Sequence, residues 1–322
     1  MQILGTRSIY YDDVNLIAQP NNLIKSRSEI PKELHRIFVS PMSAVVGETF
    51  ANEAYIRGLS VCLHRFCTAN EQGNLFTTIT LGREPSERPN KVWCAIGLDE
   101  YDRFDRLFEY GCRNFIIDVA NGYLGVIISF LRTLNSDYKG SECSFIVGNV
   151  HTSEGFNLYN SFYNVDIRVN ISGGSACDTK FRTGVNRGQI TELSDCLINR
   201  RGLNKIIADG GIRGSGDAAK AFGAGADFIM LGSYFSKAQE AENIVTDQYT
   251  MWGSASKHQM VLSGKKVSHN EGKVVKIDKS EVLPLSDLIE ELWDGISSAI
   301  SYTGYSSLSD FIGRGVFELK TR

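Results

Sequence analysis

The chain has 322 residues, 42% of them hydrophobic, which is enough to bury a large core in a length that single domains reach in few architectures, α/β barrels among them. Its formal net charge of -3, with both signs mixed along the chain, gives no broad basic field and argues against nucleic acid or an anionic membrane as partner. No apolar run approaches the roughly 20 residues that span a bilayer, and residues 1–7 lack a signal-peptide apolar segment, so a cytoplasmic protein is expected.

Residues 1–36 read as an N-terminal arm that contains Lys25-Ser-Arg-Ser-Glu-Ile30. Short apolar runs follow at 37–40, 58–63, 92–96, 114–119, 144–147, 167–171, 205–208 and 227–231, with amphipathic stretches such as 100–110, 123–134 and 217–224 between them. Strands alternating with helices predict a parallel sheet, and eight such units predict a single α/β domain over 1–322, a closed (β/α)8 TIM barrel. After the eighth run, residues 246–283 interrupt the pattern with lysines, glycines, His258 and His269 before an amphipathic helix resumes at 285–302. Such an insertion over the catalytic face predicts a flap.

Met42, His64, Asp118, Asn149, Cys177, Asp209 and Gly232 all fall just after the apolar runs. In a barrel the loops after the strands share one face, the one that carries the active site. Any one of these residues is more often part of an ordinary polar turn, but seven together point to a site. The most informative loop is Asn170-Ile-Ser-Gly-Gly-Ser-Ala-Cys-Asp-Thr179, where a glycine-rich turn precedes a cysteine. Gly173 and Gly174 let a ligand approach the main chain, and Cys177 supplies a nucleophile useful near neutral pH. The loop Ala208-Asp-Gly-Gly-Ile212 adds a second glycine turn, suggesting a thiol beside an anion-binding backbone. The other cysteines, at 62, 67, 94, 112, 143 and 196, sit mostly in apolar runs and read as reduced core thiols. Cys62 and Cys67 have neither CxxC spacing nor a second pair, so no zinc site is expected.

With these motifs in hand, the chain resembles the inosine-monophosphate dehydrogenase and guanosine-monophosphate reductase superfamily over nearly its full length. Tyr11-Asp-Asp-Val14 and Ser26-Arg-Ser28 are similar to its N-terminal signature, residues 171–189 to its cysteine loop, and Ala208-Asp-Gly-Gly211 with residues 216–227 to its phosphate region. Asp118-Val-Ala-Asn-Gly-Tyr123 and Glu271-Gly-Lys273 resemble the reductase branch, and the insertion has no Arg-Tyr pair of the dehydrogenase kind. Asn170-Ile-Ser-Gly-Gly-Ser175 departs from the usual Gly-Ile-Gly-Pro-Gly-Ser, and Asp178-Thr-Lys180 from Thr-Thr-Arg.

The resemblance implies reductive deamination of GMP to IMP and ammonia with NADPH, through a thioimidate on Cys177, in which Thr179, Glu271 and Arg65 handle protons. Ser175, Gly211, Gly232 and Ser233 would hold the nucleotide phosphate, Asp209 the ribose, and Met251, Trp252 and Gly253 would line the purine, with Trp252 either stacked on the base or anchoring the insertion, while Met42, Gly210 and Gly272 would complete the substrate site. Asp118, Val119 and Ala120 would face the nicotinamide. Ser26 and Arg27 would reach the adenine end from a neighbouring subunit of a homotetramer. A monovalent cation such as K+ would sit at Ser172, Gly174 and Cys177. No strand-linked GxGxxG occurs, so no Rossmann domain is expected. Oxidation of IMP with NAD+, reduction of dGMP or a modified guanine nucleotide, and silent purine-nucleotide binding are the competing functions.

Overall fold

The computed structural model describes residues 7–20, 22–82, 91–136, 138–242, 244–245, 248–264 and 272–320. Glu271, His269 and Thr246 therefore lie outside the described residues. The strands are β1 (Val14–Leu16), β2 (Ile37–Val39), β3 (Ser60–Leu63), β4 (Val92–Ile96), β5 (Asn114–Ile117), β6 (Ser144–Val150), β7 (Val165–Val169), β8 (Ile206–Asp209), β9 (Phe228–Leu231), β10 (Ile244–Val245), β11 (Gln248–Trp252), β12 (Val274–Lys276) and β13 (Phe317–Leu319). Strands β2 to β9 pair in parallel in chain order, and β9 returns to β2 through Ile37↔Ile229 and Val39↔Leu231, closing the expected eight-stranded barrel.

The helices are α1 (Glu48–Ile56), α2 (Ala69–Thr80), α3 (Tyr101–Glu109), α4 (Gly125–Ser136), α5 (Tyr138–Ser141), α6 (Ser153–Asn157), α7 (Thr179–Thr183), α8 (Gln189–Ile198), α9 (Ser215–Gly223), α10 (Lys257–Leu262), α11 (Leu285–Tyr302) and α12 (Leu308–Phe311). Local chemistry sets their ends. At the start of α2 the Thr68 hydroxyl accepts from Glu71 N at 3.2 Å while the Glu71 carboxylate accepts from Thr68 N at 2.7 Å, a reciprocal cap that satisfies two otherwise orphaned donors. Helix α11 buries Leu285, Leu288, Ile289, Leu292, Trp293, Ile296 and Ile300, a stripe at helical spacing that packs on α9. None of the helices among the described residues is long and apolar enough to cross a membrane.

The barrel strands are buried on both faces, and their two sets of side chains form separate clusters. Phe38, Cys62, Trp93, Ile116, Ile146, Ile207 and Met230 fill the interior, while Ile37, Val39, Val61, Ile117, Ile167, Val169, Ile206 and Ala208 join the larger core beneath the helices. Side chains alternate along a strand, so two residues beyond an interior apolar residue the chain again faces inward at the barrel mouth. That step runs from Phe38 to Ser40, Cys62 to His64, Ile116 to Asp118, Ile207 to Asp209 and Met230 to Gly232, which places the polar residues in one layer above an apolar floor.

Two segments lie outside the barrel. The arm is fastened to the far end of the chain, because β1 pairs antiparallel with β13 through Val14↔Leu319 and Leu16↔Phe317. The insertion forms an antiparallel sheet β10-β11-β12 with α10 between its last two strands, the flap position expected from the sequence. Cys62, Cys94, Cys112, Cys143 and Cys196 are buried and all described cysteines are free thiols, as anticipated.

Candidate active site

The polar layer at the mouth is built around charge. Arg168, on β7 and 4% exposed, lies with Nη2 3.5 Å from Asp118 Oδ1 and Nη1 3.6 Å from Asp209 Oδ2. Arg65 approaches Asp118 from the other side, its Nε 3.5 Å from Oδ2, and its Nη1 lies 3.5 Å from Glu100. Asn149 Nδ2 donates to Asp209 Oδ2 at 2.9 Å and to the Asn170 carbonyl at 2.8 Å, tying the end of β6 to the end of β8 and to the loop after β7. Burial pushes the Asp209 carboxyl above the ordinary carboxylate range, opposed by the Arg168 charge and the Asn149 amide and reinforced by Asp118. Burial, helped by the Arg103 charge, holds His64 down at about 4, so it is neutral at pH 7.

The cysteine loop leaves β7 with Asn170 at φ 108 and Ser172 at φ 67, left-handed conformations that non-glycine residues seldom adopt. Side-chain bonds hold both. Asn170 Nδ2 donates to Gly210 O at 3.1 Å, and Ser172 Oγ donates to Val185 O at 2.9 Å and meets Asn186 Oδ1 at 3.1 Å. The loop after β8 packs back to back with it: a Cβ at Gly210, itself at φ 91, would stand 2.9 Å from Gly174 N. At the end of the turn Cys177 N donates to Gly174 O at 3.0 Å, and the thiol donates to Thr179 Oγ1 at 3.1 Å.

Two cavities meet at this thiol. One, about 530 Å³, is lined by Arg65, Asp118, Val119, Ala120, Asn149 and Arg168. The other, about 240 Å³, is lined by Met42, Ser175, Gly211, Gly232, Ser233, Met251, Gly253 and Gly272. Cys177, Thr179, Asp209 and Gly210 border both. The flap closes over the junction: Gly272 forms an antiparallel bridge with Cys177, and Lys273 N donates to Ala176 O at 3.0 Å. The Lys273 ammonium stands 3.9 Å from the Asp178 carboxylate, so the acidic neighbour of the thiol has a counter-charge from the flap.

A family model described as the IMP dehydrogenase / GMP reductase domain matches residues 8–322. The chain belongs to this family. A GMP reductase of Buchnera aphidicola subsp. Acyrthosiphon pisum (strain Tuc7) is 30% identical over 352 residues, covering 98% of this chain and 95% of that protein. One of Klebsiella pneumoniae is 28% identical across 98% of this chain and 96% of its own length. GMP reductase 1 of Mus musculus is 32% identical over 234 residues, 69% of this chain and 66% of the mouse protein.

Most of the residues that the family resemblance singles out line these two cavities, but Trp252 does not. Successive side chains on a strand face opposite ways, so Met251 on β11 faces the smaller cavity while Trp252 turns from it. Its Nε1 donates to Gln259 Oε1 at 2.9 Å and Ser43 Oγ at 3.1 Å, and its ring borders a third cavity of about 350 Å³ with His64 and Cys67. Of the two places expected for Trp252, against the base or anchoring the insertion, these contacts match the second. Ser26 and Arg27 also lie off both cavities. Ser26 caps the turn Arg27–Glu29, and Arg27 pairs with Asp294 of α11 at 2.8 Å on the outside of the barrel.

The proposed cation loop is hydrogen-bonded within itself. Gly174 O already accepts from Cys177 N, and Ser172 Oγ is engaged with Val185 and Asn186. Sequence reasoning missed Arg168 as a site residue and gave Asn149 no role. The alternation of apolar and charged residues in Val165-Asp-Ile-Arg-Val169 was the signal for Arg168.

Proposed function

We propose that this protein is a GMP reductase that converts GMP, NADPH and protons into IMP, ammonium and NADP+. The observation that carries the reading is the Cys177 thiol, bonded to Thr179 Oγ1 at 3.1 Å, at the junction of two cavities of unlike lining. The smaller cavity offers the Ser175 and Ser233 hydroxyls and the glycine backbone at 210, 211 and 232, the groups that suit a phosphate without a lysine cluster. Asp209 stands where it can accept ribose hydroxyls. The larger cavity presents Asp118, Val119 and Ala120 to a second ligand beside the thiol.

In this reading the Cys177 sulfur adds to purine carbon 2, and the amino group leaves as ammonia once it has gained a proton. The bond from sulfur to carbon remains as a thioimidate, which divides one difficult displacement into two easier steps. NADPH, held against Asp118, Val119 and Ala120, would supply the hydride that replaces sulfur at carbon 2 and frees the thiolate. Thr179, at hydrogen-bond distance from the sulfur, passes the proton, with Glu271 on the flap as its partner and Arg65 holding the wall at Asp118. The choice of NADPH over NADH is part of the same proposal, as is a homotetramer in which Ser26 and Arg27 serve a neighbour's dinucleotide.

The test is NADPH oxidation by the purified protein with GMP, IMP or dGMP supplied separately, and XMP formation from IMP with NAD+. Oxidation with GMP that disappears in Cys177→Ala is the expected result. Near-normal turnover in that variant, or XMP formation as the main activity, would overturn the proposal.

A further inference from the structure

Arg168 is a buried charge on a strand whose neighbouring residues Ile167 and Val169 are fully apolar and pack outward. Its Nη2 lies 3.5 Å from Asp118 Oδ1, 3.5 Å from Ile117 O and 3.4 Å from Val119 O, its Nη1 lies 3.6 Å from Asp209 Oδ2, and its Nε has no hydrogen-bond partner among the described residues. These contacts are longer than the roughly 2.7–2.9 Å of a clamped charge-assisted bond, so the guanidinium is shared between the two carboxylates and locked to neither. As a stabiliser alone this is a poor arrangement, because desolvating an ion pair offsets most of its attraction and apolar residues of similar size serve as well. Both of its carboxylate partners face the cavities beside Cys177.

We infer that Arg168 is a positioning residue that holds Asp118 and Asp209 in register, so that the nucleotide and dinucleotide subsites are organised around one buried cation. The inference rests on the proposed division of the two cavities between GMP and NADPH. The surroundings make the dependence unequal. Asp118 has a second guanidinium, Arg65, at 3.5 Å, whereas among the described residues Asp209 has Arg168 and the Asn149 amide as its side-chain partners. Removing Arg168 leaves Asp209 as the buried carboxylate without a counter-charge, and the nucleotide side suffers more.

Affinities for GMP and NADPH, measured by titration calorimetry on the whole protein, test this without relying on turnover. Arg168→Met is expected to weaken GMP at least about 30-fold and NADPH by less than about tenfold. In an Asp209→Asn background the same change should cost GMP little more, because Arg168 acts through that carboxylate. Arg168→Lys, whose single ammonium reaches one carboxylate at a time, should recover one affinity more than the other, and it forms the cycle with Asp209→Asn if Arg168→Met does not fold. Losses that add across the cycle, or a folded Arg168→Met protein whose GMP affinity stays within about threefold, would overturn the inference. A wild-type protein that binds GMP but does not turn it over would overturn the proposed reductase and leave this cycle intact; one that binds neither GMP nor IMP would overturn both.

Discussion

The barrel mouth and the flap contribute to the site in different ways. The thiol and Asp118 stand on the loops after β7 and β5, Arg168 and Asp209 on β7 and β8 themselves, and these strands belong to a closed parallel barrel above an apolar floor. The flap supplies walls such as Met251 and Gly253, together with backbone contacts. Among the described residues it is tied to the catalytic loop through the Gly272 bridge, the Lys273 N bond to Ala176 and the Lys273 to Asp178 pair. It is tied to the loop after β2 by Ser43, Gln259 and Trp252, where the Ser43 hydroxyl donates to Gln259 Oε1. Individual bonds of this kind contribute about 1 kcal/mol each, so the flap can open at far less cost than the barrel can unfold. Reactive groups sit on the rigid part, and the part that closes over them is weakly held.

Gly272→Ala breaks the division on the flap side and should have the largest effect. A Cβ there would lie 2.8 Å from Ser256 N and 3.1 Å from the Ala255 carbonyl carbon, both within the flap, so the flap must rearrange internally at the residue that bridges Cys177. Turnover is expected to fall about 10- to 100-fold, the scale of a displacement of about 1 Å at a reacting centre, while the melting temperature stays near that of the wild type. An equal loss of melting temperature would show that the flap is part of the folding unit.

Gly210→Ala probes the barrel side. Its φ of 91 and the 2.9 Å approach of Gly174 N leave no room for a side chain, and about 1–3 kcal/mol of stability should be lost, visible as a lower denaturation midpoint. A midpoint unchanged by this substitution would mean that the two glycine loops are not packed as described. Gln259→Ala is milder. It removes the acceptor shared by Trp252 and Ser43, and it should raise KM by about threefold to tenfold with kcat little changed, as read from initial rates.

The smallest effect concerns pH. His64 is held at about 4 in the folded protein against 6.5 for an exposed histidine, so the unfolded chain takes up a proton first as pH falls. Its contribution to stability is therefore full above 6.5, declines between 6.5 and about 4, and is lost below that. His64→Gln should flatten this part of the stability profile by on the order of 1 kcal/mol, measured by denaturant unfolding across that pH range. A profile unchanged by the substitution would place His64 in a wetter environment than its burial implies.

The eight barrel strands and the helices at 101–109, 125–136, 215–223 and 285–302 were legible in the sequence, because apolar runs alternating with amphipathic stretches have different periods. So was the cysteine loop, since glycine turns after strands are local features. The side on which each strand residue points was not legible. Strands buried on both faces read as continuous apolar runs, so their phase is hidden; β7 is the exception, since Val165-Asp-Ile-Arg-Val169 alternates, but alternation alone does not say that its charged face lines the barrel interior rather than solvent. The direction of Trp252 is hidden for a related reason: one residue along β11 reverses the direction in which a side chain faces.

The sequence by itself determined the repeating strand and helix units, the position of the thiol and the presence of an insertion, because each depends on neighbours a few residues apart. Only the tertiary structure decided that Arg168 lies between Asp118 and Asp209, which are separated from it by 50 and 41 residues and come from three different strands or their loops. It also decided that β1 pairs with β13, and that Gly272 of the flap meets Cys177. Contacts of this kind follow from barrel closure and strand register, which no local pattern encodes.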